Sequence, residues 1–153
     1  EVPQGLPVDA LSMITGVEGA AAFDELTRSD RDSLLTDQRK GAWPNIFRTA
    51  HFVPAVEYIN AQRVRRQLIE DWHQRLGEFD VIVAPTFGGN QNLMTNLTGH
   101  PCLVLPDGFT EKGTPTSISF IGKLYGEAAL ISVGRAFQEA TTWHQQVPPL
   151  FRE

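Results

Sequence analysis

The sequence predicts an α/β fold, and three segments carry that expectation. Between Ala55 and Leu76 the residues Ala61, Val64, Leu68, Trp72 and Leu76 recur every three or four positions, while Arg65, Arg66, Glu70, His73 and Gln74 fall on the opposite side. That spacing describes an amphipathic helix with one buried stripe. Directly after it, "DVIVAP" (80–85) is an unbroken apolar run bounded by turn residues, the pattern of a strand covered on both faces. Two more short apolar segments, "PCLVLP" (101–106) and "PTSISFIG" (115–122), precede a closing helix over "YGEAALISVGRAFQEAT" (125–141). The stripe of that helix is Ala129, Leu130, Val133, Ala136, Phe137 and Ala140.

The remaining elements follow in chain order. "VDALSMI" (8–14) reads as a strand, and the alanine-rich "VEGAAAFDELTRS" (17–29) as a helix that turns Val17, Ala21 and Phe23 or Leu26 to a core. The polar stretch 29–41 reads as an excursion over the surface. Pro44 suits a first helical turn, so "WPNIFRTAHF" reads as a short helix, and Pro54 opens the long one, which Gly77 ends. "TFGGNQNLMT" (86–95) leaves the 80–85 strand as a loop rich in Gly and Asn. Loops beyond strand ends are where α/β proteins place ligands. "PDG" (106–108) reads as a turn that closes the 101–106 strand. No repeat or linker divides the chain, so 1–153 is expected to be one structural unit. Its opening, "EVPQGLPVDALSMI", reads as though the chain starts in mid-protein.

Composition removes several functions. The chain has 153 residues, 41% of them hydrophobic, and a net charge of −5, which provides no cationic surface for nucleic acid or an anionic bilayer. Arg63, Arg65, Arg66 and Arg75 alternate with Glu70 and Asp71 at helical spacing, the mark of a solvated face. Apolar runs are too short to cross a bilayer, so the chain is expected to be soluble, with the cytoplasm favoured. His51, His73, His100 and His144 lie too far apart in sequence for a local metal motif, and Cys102 has no partner for a disulfide. No metal or cofactor is expected.

The stretch "NLTGHPCLVLPDGF" (96–109) holds three competing signals. Asn96-Leu97-Thr98 matches a glycan acceptor, but it runs directly into an apolar strand. His100 and Cys102 lack a third group to orient the imidazole, which leaves Cys102 as a buried structural thiol. What remains is a Thr-Gly-x-Pro bend in which Gly99 permits backbone angles other residues resist. Trp43, Trp72 and Trp143 are expected to pack rather than to serve as ligand platforms.

That stretch resembles the carboxy-terminal part of the amidase signature family, which has an Asn-Leu-x-Gly-x-Pro bend, a short apolar strand, Pro and Gly. The resemblance extends through "RVRRQLIEDWHQRLGEFDVIVAPT" (63–86), similar to the family's long helix and Asp-strand-Pro-Thr segment. It continues through "PTSISFIGKLYGEAALISVGRAFQEATTWHQQVPP" (115–149), similar to its final strand, Gly turn and Glu-Ala-x-Leu helix. The resemblance implies a mixed β-sheet flanked by helices and cleavage of linear amides through an acyl-enzyme. In the family one serine attacks the carbonyl, a second serine in a cis peptide relays the proton, and a lysine is the base.

Those groups belong to a Gly and Ser rich signature upstream of the matched region. Lys40, Lys112 and Lys123 lie in polar or turn segments and no Gly-Gly-Ser-Ser run occurs, so no catalytic residue is assigned here. The resemblance therefore implies the carboxy-terminal segment of an amidase, with the missing amino-terminal part of the same polypeptide and a small amide substrate as partners and no direct contact with nucleic acid or membrane. Self-association into a homo-oligomer is left open.

Within this segment Phe87 is the expected apolar contact to substrate, and Asn90 or Gln91 the polar one. Family members that supply ammonia for aminoacyl-tRNA transamidation carry an acidic residue before the Asn-Leu bend, whereas this chain has no carboxylate between Asp80 and Asp107. A hydrolase is preferred over a transamidase. Ser119 stands where many members have glutamine, which leaves that glutamine's contact in doubt. The competing expectation is a non-catalytic module that binds a small amide or a partner chain.

Overall fold

Helical spacing, not strand alternation, organises the start of the chain. Val8, Leu11 and Ile14 are all buried at intervals of three, a spacing no strand can place on one side. In the computed structural model, which describes residues 5–151, Val8–Leu11 is a 3-10 turn that runs into α1 (Ser12–Ala22). The strand expected over 8–14 is therefore absent, because the period of its apolar residues decides the element and their mere abundance does not.

The protein divides into two compact units whose boundary falls between Leu68 and Ile69. In the first unit, α1 and the short α2 (Asp24–Arg28) are separated at Phe23, where the single helix expected over 17–29 breaks. A polar excursion follows, as expected, containing a 3-10 turn at Arg31–Leu34. It is not wholly a surface segment, since Asp32 is 1% exposed and its Oδ2 lies 2.7 Å from Arg48 Nε. Arg48 belongs to α3 (Trp43–Ala50), which begins with Pro44 in its first turn and packs on α1. Phe47 is the buried centre of an aromatic row, 5.2 Å from Phe23 and 5.5 Å from Trp43. The long helix α4 (Ala55–Leu76) then starts after Pro54. Tyr58 Oη and Gln62 Nε2 both donate to Glu18 Oε1, at 2.9 and 3.0 Å, and so tie α4 to α1.

Four of the five residues of the α4 stripe are buried where its period placed them, Ala61, Leu68, Trp72 and Leu76 all under 9% exposed, while Val64 is half-buried. In the second unit, the end of α4 leads to β1 (Val81–Pro85), α5 (Gln91–Thr98), β2 (Cys102–Phe109), β3 (Pro115–Gly122) and α6 (Glu127–Ala140). The strands form an antiparallel sheet in the order β1-β3-β2. Val83, Phe120 and Leu103 are register partners on one face, and α6 covers that face through Leu130 over Gly122 and Phe137 against Phe120 at 5.5 Å. Gly134 allows α6 to approach, because a Cβ there would run into Leu103 Cδ2. Ser119 and Ile121 point to the other face, both essentially inaccessible.

Four expectations change in this unit. The 80–85 strand is not covered on both faces: Val83 on β1 and Val104 on β2 are each about half exposed, since both strands are edges of the described sheet. Cys102 is exposed for the same reason. The Pro106-Asp107-Gly108 turn does not form, because β2 continues through it with an irregularity between Pro106 and Gly108 that absorbs the extra residue. Proline is tolerated there since an edge strand has one unpaired side. In α6 the buried line is Leu130 and Gly134, narrower than the stripe expected, and Val133 is 37% exposed.

Candidate functional site

The chain leaves β1 at Pro85 and folds back at once. Gly88 N–H donates to Pro85 O at 3.1 Å, which closes a tight turn, and Gly89 follows in the left-handed region. The segment expected to be a loop to Thr95 is a loop only to Asn90, and Gln91 opens α5. Gln91, Met94, Thr95, Leu97 and Thr98 are the buried residues of that helix, a 3.6-residue period present in the sequence. Gly99 ends it with φ 75°, and its N–H donates to Thr95 O at 2.8 Å, a left-handed cap rather than a free bend.

Beneath the turn lies a polar network. Gln91 Nε2 donates to Thr86 O at 2.9 Å and, with a longer contact of 3.4 Å, to Ser119 Oγ. Ser119 Oγ donates to Thr86 Oγ1 at 3.1 Å. All three residues are buried, and Gln91 Oε1 is enclosed without a hydrogen-bond partner. The amide orientation is fixed by chemistry, because only its nitrogen can face a carbonyl oxygen. Phe87 stands on the other side of the turn, 89% exposed. Asn90 is half-buried between the two.

The structure therefore assigns different positions to the three residues singled out in the sequence. Phe87 is displayed, Gln91 faces inward as a prop under the turn, and Asn90 is the polar residue of the pair that reaches the surface in part. Thr86 and Ser119 complete the network without having been singled out for it. A serine at a buried position of an apolar strand was the one signal that could have pointed to them. No charged side chain occurs between Asp80 and Asp107 apart from the titratable His100, so this wall offers hydrogen bonds and apolar surface but no counter-charge.

The neighbouring signals resolve in the same region. Leu97 and Thr98 are buried inside α5, and Asn96 Nδ2 donates to Asn92 O at 2.8 Å, which makes the acceptor triplet part of a helix. Trp72 is buried; Trp143 packs edge-on to Phe109 at 6.4 Å; Trp43 is half exposed within its aromatic row. In the first unit a shallow cleft of about 380 Å³ is lined by Val17, three alanines, Asp24, Arg28 and His51. Asp24 is already bonded to Arg28 at 2.6 Å. Among the described residues no group of three or more His, Cys, Asp or Glu is placed to hold a metal, and no helix is long and apolar enough to cross a membrane.

The fold of residues 5–151 can be placed among solved structures. It aligns with a bacterial aryl acylamidase belonging to the amidase signature enzymes family, with a TM-score of 0.72 over 92% of this chain and 36% of that one, at 18% identity. At that identity the likeness shows the fold. Sequence adds descent: the chain is 31% identical over 151 residues to a glutamyl-tRNA(Gln) amidotransferase subunit from Roseiflexus castenholzii, covering 86% of this chain and 31% of that subunit. The chain is a homologue of this amidotransferase subunit. The corresponding subunit from Marinomonas sp. is 31% identical over 147 residues, and that from Halorhodospira halophila 34% over 113 residues. These cover 84% and 61% of this homologue and 30% and 23% of the subunits, so it spans about a third or less of the length of the curated relatives it matches. No profile of a described protein family matches it.

Proposed function

We propose that this chain is the carboxy-terminal segment of an amidase that hydrolyses linear amide C–N bonds, where it provides scaffold and one wall of the substrate pocket. The observation that carries this reading is the conjunction of homology along most of the chain with a span of only about a third of its relatives. The attacking serine, the relay serine and the lysine base then come from the preceding part of the same polypeptide. Half-exposed Val83 and Val104 on two open strand edges support it, because such edges fit continuation of a larger sheet.

In the pocket, Phe87 gives apolar contact and Asn90 polar contact, while Gln91 holds their turn in place from below. The charge-free wall favours an uncharged or acidic amide. An amine would sit there without neutralisation, at a cost that rises with burial. The names of the sequence relatives favour a second reading, the corresponding segment of a glutamine-dependent aminoacyl-tRNA amidotransferase. The lack of a carboxylate between Asp80 and Asp107 counts against it, because the ammonium of glutamine needs one.

The test is the mass and activity of the native polypeptide. An antibody raised against this chain is expected to detect a band several times larger than 17.0 kDa in its source, and the purified polypeptide to release carboxylate from neutral amides without tRNA. A native band at 17 kDa would overturn the segment reading. Hydrolysis confined to glutamine would transfer the assignment to the amidotransferase.

A further inference from the structure

A buried imidazole occupies the joint between α5 and β2. His100 is 5% exposed and follows directly on Gly99. Its Nδ1 lies 2.8 Å from Thr98 Oγ1, and that hydroxyl donates to Met94 O, also at 2.8 Å. With the hydroxyl proton committed, the oxygen can only accept, so the hydrogen on this contact belongs to His100 Nδ1. The other ring nitrogen, Nε2, is then the bare acceptor of a neutral imidazole, and it is enclosed with no hydrogen-bond partner among the described residues. The Trp72 ring stands edge-on to it, 6.3 Å away at 87°.

We propose that His100 is a proton-operated pin: binding of one proton at Nε2 in mildly acidic solution opens the α5–β2 joint and loosens α5 from the sheet. Protonation turns Nε2 into a donor without an acceptor and places a positive charge that no carboxylate among the described residues offsets. From α4 the facing titratable group is His73, which repels a second positive charge. The α5 segment contains no titratable side chain, β3 contains none, and β2 has only Cys102 and, at its irregularity, Asp107. Opening relieves the cost by returning the ring to water, and Gly99 is the backbone pivot. Because α5 begins with Gln91, the prop beneath the Phe87 turn is released with it. The inference stands on the joint itself and not on the amidase reading.

Burial first, and His73 second, push the His100 pKa below the ordinary imidazole value of 6.5. A base with a depressed folded pKa takes up protons preferentially in the open state. Stability at the joint is therefore complete above pH 6.5 and falls as pH drops through the window beneath it, until the folded pKa is reached.

The experiment is hydrogen exchange across residues 94–102 from pH 8 to 5, corrected for intrinsic rates, together with an NMR titration of the His100 ring. One-proton linkage predicts an opening constant that rises by up to about tenfold per pH unit below 6.5, with the rest of the second unit lagging. His100→Gln, which keeps a donor toward Thr98 but cannot titrate, is expected to flatten that slope, and His73→Asn to retain it. A His100 titration at or above 6.5, or exchange at the joint that does not change with pH, would overturn the proposal. If His100→Gln does not fold, the wild-type titration and exchange curves decide.

Discussion

Asp32 and Arg48 illustrate how one pair of residues holds a long polar segment. The carboxylate is withdrawn from water, and the guanidinium Nε at 2.7 Å is the cation that offsets its burial. Removing one partner of such a pair leaves the other charge buried and alone, which typically costs about 3–5 kcal/mol. Arg48 keeps some contact with solvent, so Arg48→Met is expected toward the lower end, about 3 kcal/mol, with Asp32→Asn smaller. Urea denaturation of the two variants checks the order, and equal losses would show that the pair acts as packing and not as charge. At the candidate site, Gln91→Leu takes the donor from the buried Thr86 carbonyl. A loss of about 1–3 kcal/mol is expected for a stranded buried acceptor, together with faster exchange at Phe87 and Gly88. Phe87→Ala, by contrast, leaves stability within about 0.5 kcal/mol because the ring touches mainly water, and under the proposed function its effect falls on substrate affinity.

Among the elements, α6 and α5 depend on single glycines for different reasons. Gly134→Ala forces Leu103 out of its place under α6 and is expected to cost about 1–3 kcal/mol by overpacking. Gly99→Ala has open space around the new Cβ, and its cost, about 1 kcal/mol, is that of holding an L-residue at φ 75°. Thermal melts of both separate crowding from backbone strain, since Leu103→Ala placed on top of Gly134→Ala relieves only the first. These elements also mark what the sequence could convey. The long helix was legible because Ala61, Leu68, Trp72 and Leu76 keep a 3.6 period against charged neighbours. The helix at 91–98 was not, because its Asn and Thr residues are weak helix formers and Gly99 reads equally as a cap or as a bend. The Thr86–Ser119–Gln91 network was illegible for a different reason: it exists only once Ala84 pairs with Ser119 across an antiparallel ladder joining distant parts of the chain.

For the whole molecule, the distribution of apolar surface leads to a prediction about behaviour in solution. In the second unit Phe79, Val83, Phe87, Val104 and Ile131 are all about half or more exposed, beside two strand edges with unpaired backbone groups. The isolated chain is expected to bind a hydrophobic dye and to self-associate with rising concentration, and Val83→Lys on the β1 edge to weaken association. Light scattering across a dilution series checks this, and a dye-silent monomer at all concentrations would favour the self-sufficient module instead. The turn after β1 has one more consequence. The side chains Thr86, Ser119 and Gln91 brace it from beneath, while the group it displays, Phe87, stands out in solvent. Under the proposed function, position 87 can thus drift between rings, chains and hydroxyls under selection for a new ligand while the three residues below stay under selection for folding, so recognition there can evolve without endangering the fold.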